Sequence, residues 1–322
     1  MEQRALGRSG LKISRLGLGT MTWANGTDPD EAAAILVAFH DAGGTFVDTS
    51  VSYSGGAAER ILGALLADLV PRSELIIASK AGITRHGDER VVDTSRGALL
   101  RQLDESLVNL GVDHLDLWQV HTIDAGVPAE ETLSALDSAV SAGKVRYVGV
   151  SNYPGWRTAQ AATWQRAVPG RAPLVSNQVR YSLLDRGVER EVIPACAELG
   201  LGILPFSPLG GGVLTGKYRA GVPADSRGAA QGRNLASYAD ARQLGIVEAV
   251  ATAADGLATS PLNVALAWLR NRPGVCAPIV GARTLGQLTA AVQSLTVELP
   301  LEIQLALDDV SMPYLGYPED AS

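Results

Sequence analysis

The stretch Leu115-Asp-Leu-Trp-Gln-Val-His121-Thr-Ile-Asp-Ala-Gly-Val-Pro-Ala-Glu130-Glu-Thr-Leu-Ser-Ala-Leu-Asp-Ser-Ala-Val-Ser-Ala142-Gly-Lys-Val145-Arg-Tyr-Val-Gly-Val150 decides the fold. Residues 115–120 form a short apolar run that reads as a strand, 130–142 carry a helical pattern, and 145–150 read as a second strand. The alternation continues in both directions. Upstream lie a first core strand near 16–18, a helix capped by Asp28-Pro29-Asp30-Glu31, a strand over Thr45, Phe46 and Val47, a strand near 75–79 and a helix over 95–110. Downstream come a helix near 156–165, a strand over 174–178, a helix over 188–199 and a strand over 202–206. A long Gly-rich loop follows, then helices near 242–254 and 261–269, a strand over 277–280 and a last helix from Leu285. Eight strands alternating with helices predict an α/β fold of the (β/α)8 TIM-barrel type, with 1–322 as one domain and the chemistry at the C-terminal ends of the strands. Polar and apolar residues alternate before the first strand and are broken by Gly7 and Gly10, which predicts an N-terminal hairpin plugging one end. A doubly wound sheet is the alternative, but the Gly17-Leu18-Gly19-Thr20 turn lacks the third glycine of a dinucleotide fingerprint.

With 46% hydrophobic and 19% charged residues, the chain has the composition to bury a sizeable core. A net charge of −7 offers no electrostatic footprint for nucleic acid or an anionic membrane. Cys196 and Cys276 lie far apart in apolar segments, so neither a disulfide framework nor a metal-binding spacing is expected. The polar start and the lack of a long apolar run predict a soluble, cytoplasmic protein without a signal peptide. Oligomeric state is left open.

Function is concentrated where the strands stop. Asp48 follows strand two, with Tyr53 in the loop closed by Gly55 and Gly56; Lys80 follows strand three and His121 strand four. Ser151 and Asn152 follow strand five, Gln178 strand six, Phe206 strand seven and Arg283 strand eight. His40, His86 and His114 match no such position and are read as structural or solvated.

These positions, in Phe46-Val-Asp48-Thr-Ser-Val-Ser-Tyr53, Ala78-Ser-Lys80, Asp116-Leu-Trp-Gln-Val-His121, Val148-Gly-Val-Ser151-Asn152, Asn177-Gln178, Phe206-Ser207-Pro208-Leu209 and Gly281-Ala-Arg283, resemble the aldo-keto reductase superfamily over nearly the whole chain. The loop with Gly210-Gly211-Gly212 and Gly216-Lys217-Tyr218 is similar to the branch holding bacterial reductases and potassium-channel β-subunits. The resemblance implies reduction of an aldehyde or ketone, a small-molecule carbonyl, by NADPH through a tetrad of Asp48, Tyr53, Lys80 and His121. Tyr53 would be the general acid, its phenol lowered by the Lys80 ammonium; Asp48 would hold Lys80, and His121 would orient the substrate oxygen.

By the same resemblance Ser151, Asn152 and Gln178 hold the nicotinamide carboxamide and Phe206 stacks on its ring. Gly210, Gly212, Leu214 and Lys217 lie along the pyrophosphate, and Arg283, with Gln287 beside it, takes the 2′-phosphate. Gly19, Thr20, Ser207, Pro208, Leu209 and Gly281 complete the cofactor set. Ala290 and Ala291 stand where family members often carry an acid and an Asn, which implies weaker adenine contacts. A cofactor-sensing regulatory subunit is the alternative function. Residues 210–237 are expected to form a lid that orders over the pyrophosphate. Trp23, Tyr53 and Trp118 are candidates to line an apolar pocket, with Trp118 equally suited to the core.

Overall fold

The hairpin is present: Gln3–Ala5 (β1) and Lys12–Ser14 (β2) pair antiparallel, with Gln3 opposite Ser14. The structure is a computed structural model and describes residues 1–86, 89–219, 221, 238, 240–314 and 316. Gly17–Gly19 (β3), Phe46–Asp48 (β4) and Ile76–Ala81 (β5) follow, then a second antiparallel hairpin of Ile83–His86 (β6) and Glu89–Val92 (β7). Leu115–Val120 (β8), Val145–Ser151 (β9), Leu174–Arg180 (β10), Gly202–Phe206 (β11) and Ile279–Val280 (β12) complete the strands. Eight of them form one parallel sheet in the order β11-β10-β9-β8-β5-β4-β3-β12. A parallel bridge between Ile203 and Val275, just before β12, brings its two edges together. This is a (β/α)8 barrel.

The helices are Pro29–Asp41 (α1), Ala57–Asp68 (α2), Arg96–Leu110 (α3), Ala129–Ser141 (α4), Gly155–Ala167 (α5), Val192–Leu199 (α6), Ala241–Gly256 (α7), Pro261–Arg270 (α8), Leu285–Gln293 (α9) and Leu301–Val310 (α10). Their starts follow the local chemistry: Asp28, Ser95, Ser260 and Thr284 each accept a first-turn N–H as N-cap. Among the described residues no helix is long and apolar enough to cross a membrane.

Four elements differ from expectation. The β6–β7 hairpin was not foreseen, although two short runs rich in β-branched residues flank a Gly-Asp dipeptide, which is a hairpin signal. The helix expected over 188–199 is split into a 3-10 turn at Gly187–Glu189 and α6, and α10 lies beyond the last helix foreseen. The strand expected to stop before Lys80 runs on to Ala81, so Lys80 belongs to the ladder and points into the barrel.

Period two sorts the side chains. Phe46, Ala78, Leu117, Leu204 and Ile279 face inward and pack with Leu6, Leu11 and Ile13 of the first hairpin. That apolar plug closes one end. Val47, Ile77 and Trp118 face outward into the larger core under the helices. Next along the inward rows, toward the C-terminal ends of the strands, stand Asp48 after Phe46, Lys80 after Ala78 and Gln119 after Leu117.

Candidate active site

Asp48 and Lys80 meet inside the mouth of the barrel, with 2% and 0% of their surfaces exposed. Lys80 Nζ donates to Asp48 Oδ2 at 2.6 Å, to the Thr49 carbonyl at 2.9 Å and to Tyr53 Oη at 3.1 Å. Three acceptors therefore fill the three donors of the ammonium. Because Lys80 donates into the phenol oxygen, the Tyr53 hydrogen is left for another acceptor. Tyr53 is half-buried on a short turn, Tyr53–Gly56, where Ser54 has φ 50 and Gly55 φ 59. His121 stands edge-on to it, with ring centroids 6.0 Å apart and planes at 79°. The His121 main chain is held by its N–H to the Ala81 carbonyl at 2.8 Å and by Asn152 Nδ2 donating to its carbonyl at 3.0 Å.

The electrostatics depart from expectation at one point. Burial, the largest influence, holds the Tyr53 phenol above its ordinary 10.0, and the attraction and hydrogen bond of Lys80 only partly offset it. The expectation that Lys80 brings the phenol below its usual value is thus corrected: in so enclosed a place desolvation of the phenolate outweighs one ammonium whose charge Asp48 shares. Burial also pulls Lys80 down, but Asp48 and Tyr53 more than offset it, and the ammonium stays above the ordinary lysine value. Burial, then the positive charges of Lys80 and Arg90, push His121 well below 6.5, so its imidazole is neutral at neutral pH.

A family model described as the aldo/keto reductase family matches residues 15–310, spanning all eight barrel strands and every residue of this cluster. The chain belongs to the aldo/keto reductase family. The relatives of this aldo/keto reductase include an uncharacterized oxidoreductase, YrpG, of Bacillus subtilis, 36% identical over 96% of this chain and 96% of its own length. A probable voltage-gated potassium channel subunit beta of Oryza sativa is 35% identical over 99% of this chain and 98% of its own. The L-glyceraldehyde 3-phosphate reductase of Escherichia coli K12 is 33% identical over 92% of this chain and 88% of its own. The family consists of oxidoreductases that use nicotinamide cofactors.

Most of the residues assigned to the cofactor line one rim of the reductase barrel. Ser151 is buried and its hydroxyl accepts from exposed Asn152, which sits at φ 59; Ser207 has φ 52. Such left-handed non-glycine residues concentrate at functional sites. Phe206, Ser207 and Leu209 are half-buried and Pro208 is buried; Gly281 is exposed. Gly210, Gly211 and Gly212 all have positive φ in the turn Gly210–Thr215. A Cβ on Gly212 would come within 2.9 Å of the Lys217 ammonium, so glycine there makes room for an exposed cation to lie across the turn. The N–H groups of Gly210 and Gly212 donate to the Ser207 and Leu209 carbonyls, so the lysine is the group this turn offers to an anion. Beyond the last strand and just before the Thr284 cap of α9 stands half-buried Arg283, whose N–H donates to Gln287 Oε1 at 2.9 Å.

Other assignments are placed differently. Gln178 Nε2 donates to Asp48 Oδ1 at 2.7 Å, which takes one of its two amide hydrogens and leaves its Oε1 as an acceptor. Leu214 is fully buried in the core, which leaves only its backbone for a ligand. Gly19 packs against Ile279, and Thr20 is buried against the Asp48 carbonyl, to which its N–H donates at 3.0 Å. Trp23 and Trp118 are fully buried in the core, so of the three aromatic candidates only Tyr53 reaches the mouth. Of the expected lid, 220, 222–237 lie outside the described residues. Among the described residues no cluster suited to a metal is found.

Sequence reasoning passed over Ser50. Its hydroxyl lies 3.3 Å from His121 Nδ1, 2.9 Å from Ser52 Oγ and 3.3 Å from the Lys80 carbonyl. The signal was the spacing, since Ser50 continues the inward row of Phe46 and Asp48. Buried Glu59 is a second omission: it accepts from Ser79 Oγ at 2.6 Å and Asn109 Nδ2 at 3.0 Å, tying α2 to the strand that carries Lys80.

Proposed function

We propose that the chain reduces an aldehyde or ketone to an alcohol with NADPH, Tyr53 donating the proton to the carbonyl oxygen. The observation that carries this reading is the Lys80 ammonium, buried between Asp48 and Tyr53 and donating into the phenol oxygen. NADPH supplies the hydride when bound. As negative charge grows on the substrate oxygen, Tyr53 gives up its hydrogen, and Lys80 stabilises the phenolate left behind. A phenol held above its ordinary pKa keeps its proton at neutral pH and still remains far more acidic than an alkoxide's conjugate acid. Neutral His121, with Nδ1 facing Ser50, leaves Nε2 to fix the direction of the same oxygen. Phe206, Ser151, Asn152 and Gln178 would hold the nicotinamide, the Gly210–Thr215 turn with Lys217 the pyrophosphate, and Arg283 the 2′-phosphate.

Turnover of a panel of small carbonyls with NADPH tests the reading. Consumption of NADPH with matching alcohol formation is expected; binding without turnover across the panel would favour the regulatory-subunit reading, which the similarity to a plant channel subunit keeps in view.

The pH dependence has a definite sign. Tyr53 is active when protonated and its pKa is raised, so reduction persists through neutral pH and is lost only as pH rises above 10.0. No acid limb appears near 6.5, because His121 is already neutral there. A kcat profile at saturating cofactor with an alkaline limb centred below pH 10 counts against Tyr53 as donor.

Arg283→Ala is expected to weaken NADPH binding by roughly one to two orders of magnitude, a charge-assisted contact being worth about 1.5–3 kcal/mol, and to change NADH little. Fluorescence titration of both cofactors measures this. Equal weakening of the two removes the phosphate role from Arg283.

A further inference from the structure

The sequence places Glu31 third in α1 after its Asp28 cap, where such a residue ordinarily turns back to its own helix end. Asp28 Oδ1 does accept the Glu31 N–H at 2.9 Å. The Glu31 side chain goes elsewhere: its Oε1 accepts the Leu285 N–H, at 2.5 Å, from the first residue of α9. A carboxylate from one helix therefore sits on the positive end of another. That end immediately follows Arg283, and its other first-turn N–H groups include that of Gln287, taken by the Thr284 hydroxyl at 3.3 Å. In (β/α)8 barrels the loops after strands seven and eight, with a helix N-terminus, are the usual place for a phosphate. Here that place already holds a negative charge. Ala290 is half-buried and Ala291 is buried, and neither side chain offers a polar group to help Arg283.

We propose that Glu31 is a cofactor-discriminating residue, whose carboxylate at the start of α9 opposes the 2′-phosphate that Arg283 attracts and so narrows the preference for NADPH over NADH. This rests on the reading of the chain as a nicotinamide-dependent reductase. The 2′-phosphate brings close to two negative charges, while NADH carries a neutral hydroxyl there. Charge repulsion thus acts on one cofactor and spares the other. The alternative role, a neutral tether between α1 and α9, predicts no such selectivity.

Glu31→Gln separates the two, since the amide oxygen still accepts the Leu285 N–H while the charge is gone. Dissociation constants of NADPH and NADH, measured by fluorescence titration at low salt without substrate, are expected to show NADPH binding about tenfold tighter in the variant and NADH changed less than about threefold. Glu31→Asp, which keeps the charge but shortens the reach by one methylene, is expected to leave the NADPH to NADH ratio nearer to wild type than Glu31→Gln does. If both cofactors bind and Glu31→Gln leaves their ratio unmoved, or shifts both constants equally, the inference falls while the reductase reading stands. If the wild type binds neither dinucleotide, the reductase reading falls and takes this inference with it.

Discussion

Tyr53→Phe is expected to lower carbonyl reduction by about 10²–10⁴-fold while the fold and cofactor affinity persist. The substitution removes one hydroxyl and keeps the ring that meets His121 edge-on. Lys80 loses one acceptor but retains Asp48 at 2.6 Å and the Thr49 carbonyl at 2.9 Å, so the buried ammonium remains compensated. The stability cost is then that of one hydrogen bond from a charged donor, about 1.5–3 kcal/mol. Single-turnover measurement with saturating NADPH isolates the chemical step from binding. A rate near wild type removes Tyr53 from the role of proton donor.

Lys80→Met is expected to damage stability and rate together. Among the described residues it leaves the buried Asp48 carboxylate with the Gln178 amide for a partner, and stranding one member of a buried ion pair costs on the order of 3–5 kcal/mol. The phenol also loses the one group that favours its ionised form, so activity is expected to fall by about 10²-fold or more. The double variant Asp48→Asn with Lys80→Met separates the effects, because no uncompensated charge is left. Denaturant unfolding is expected to recover most of the lost stability in the double variant, with activity still absent. Recovery of activity alongside stability would mean that Lys80 serves only to neutralise Asp48.

The barrel was legible because its signals are local and repeated. Short apolar strands, capped helices and the Gly-broken hairpin each declare themselves within about ten residues. The nearness of Asp48, Tyr53, Lys80 and His121 could be anticipated because polar residues at or near the ends of apolar strands converge once the strands close into a ring; the roles assigned to them came from the family resemblance alone. What escaped depends on distant partners. Whether Lys80 lies after a strand or within one is settled by pairing with Gln119, and whether Trp118 faces core or mouth by its register beside Ser79 and Val148. The direction of the Tyr53 shift depends on how completely the site is enclosed, and no residue spacing encodes that. The spacing placed Glu31 correctly in the first turn behind the Asp28 cap, but its side chain does not close a capping box; its diversion to α9 requires knowing that α1 and α9 are neighbours.

The hairpin plug divides the molecule by mutational consequence. Leu6, Leu11 and Ile13 seal the end opposite Tyr53, so the side chains that hold the ring together and those assigned to chemistry draw on separate sets of positions. Stabilising changes often erode activity where the same residues must serve both ends. In this barrel a library confined to the plug and the inward layer around Phe46, Leu117 and Leu204 can search for thermal endurance while the mouth evolves toward new carbonyls, each with little debt to the other.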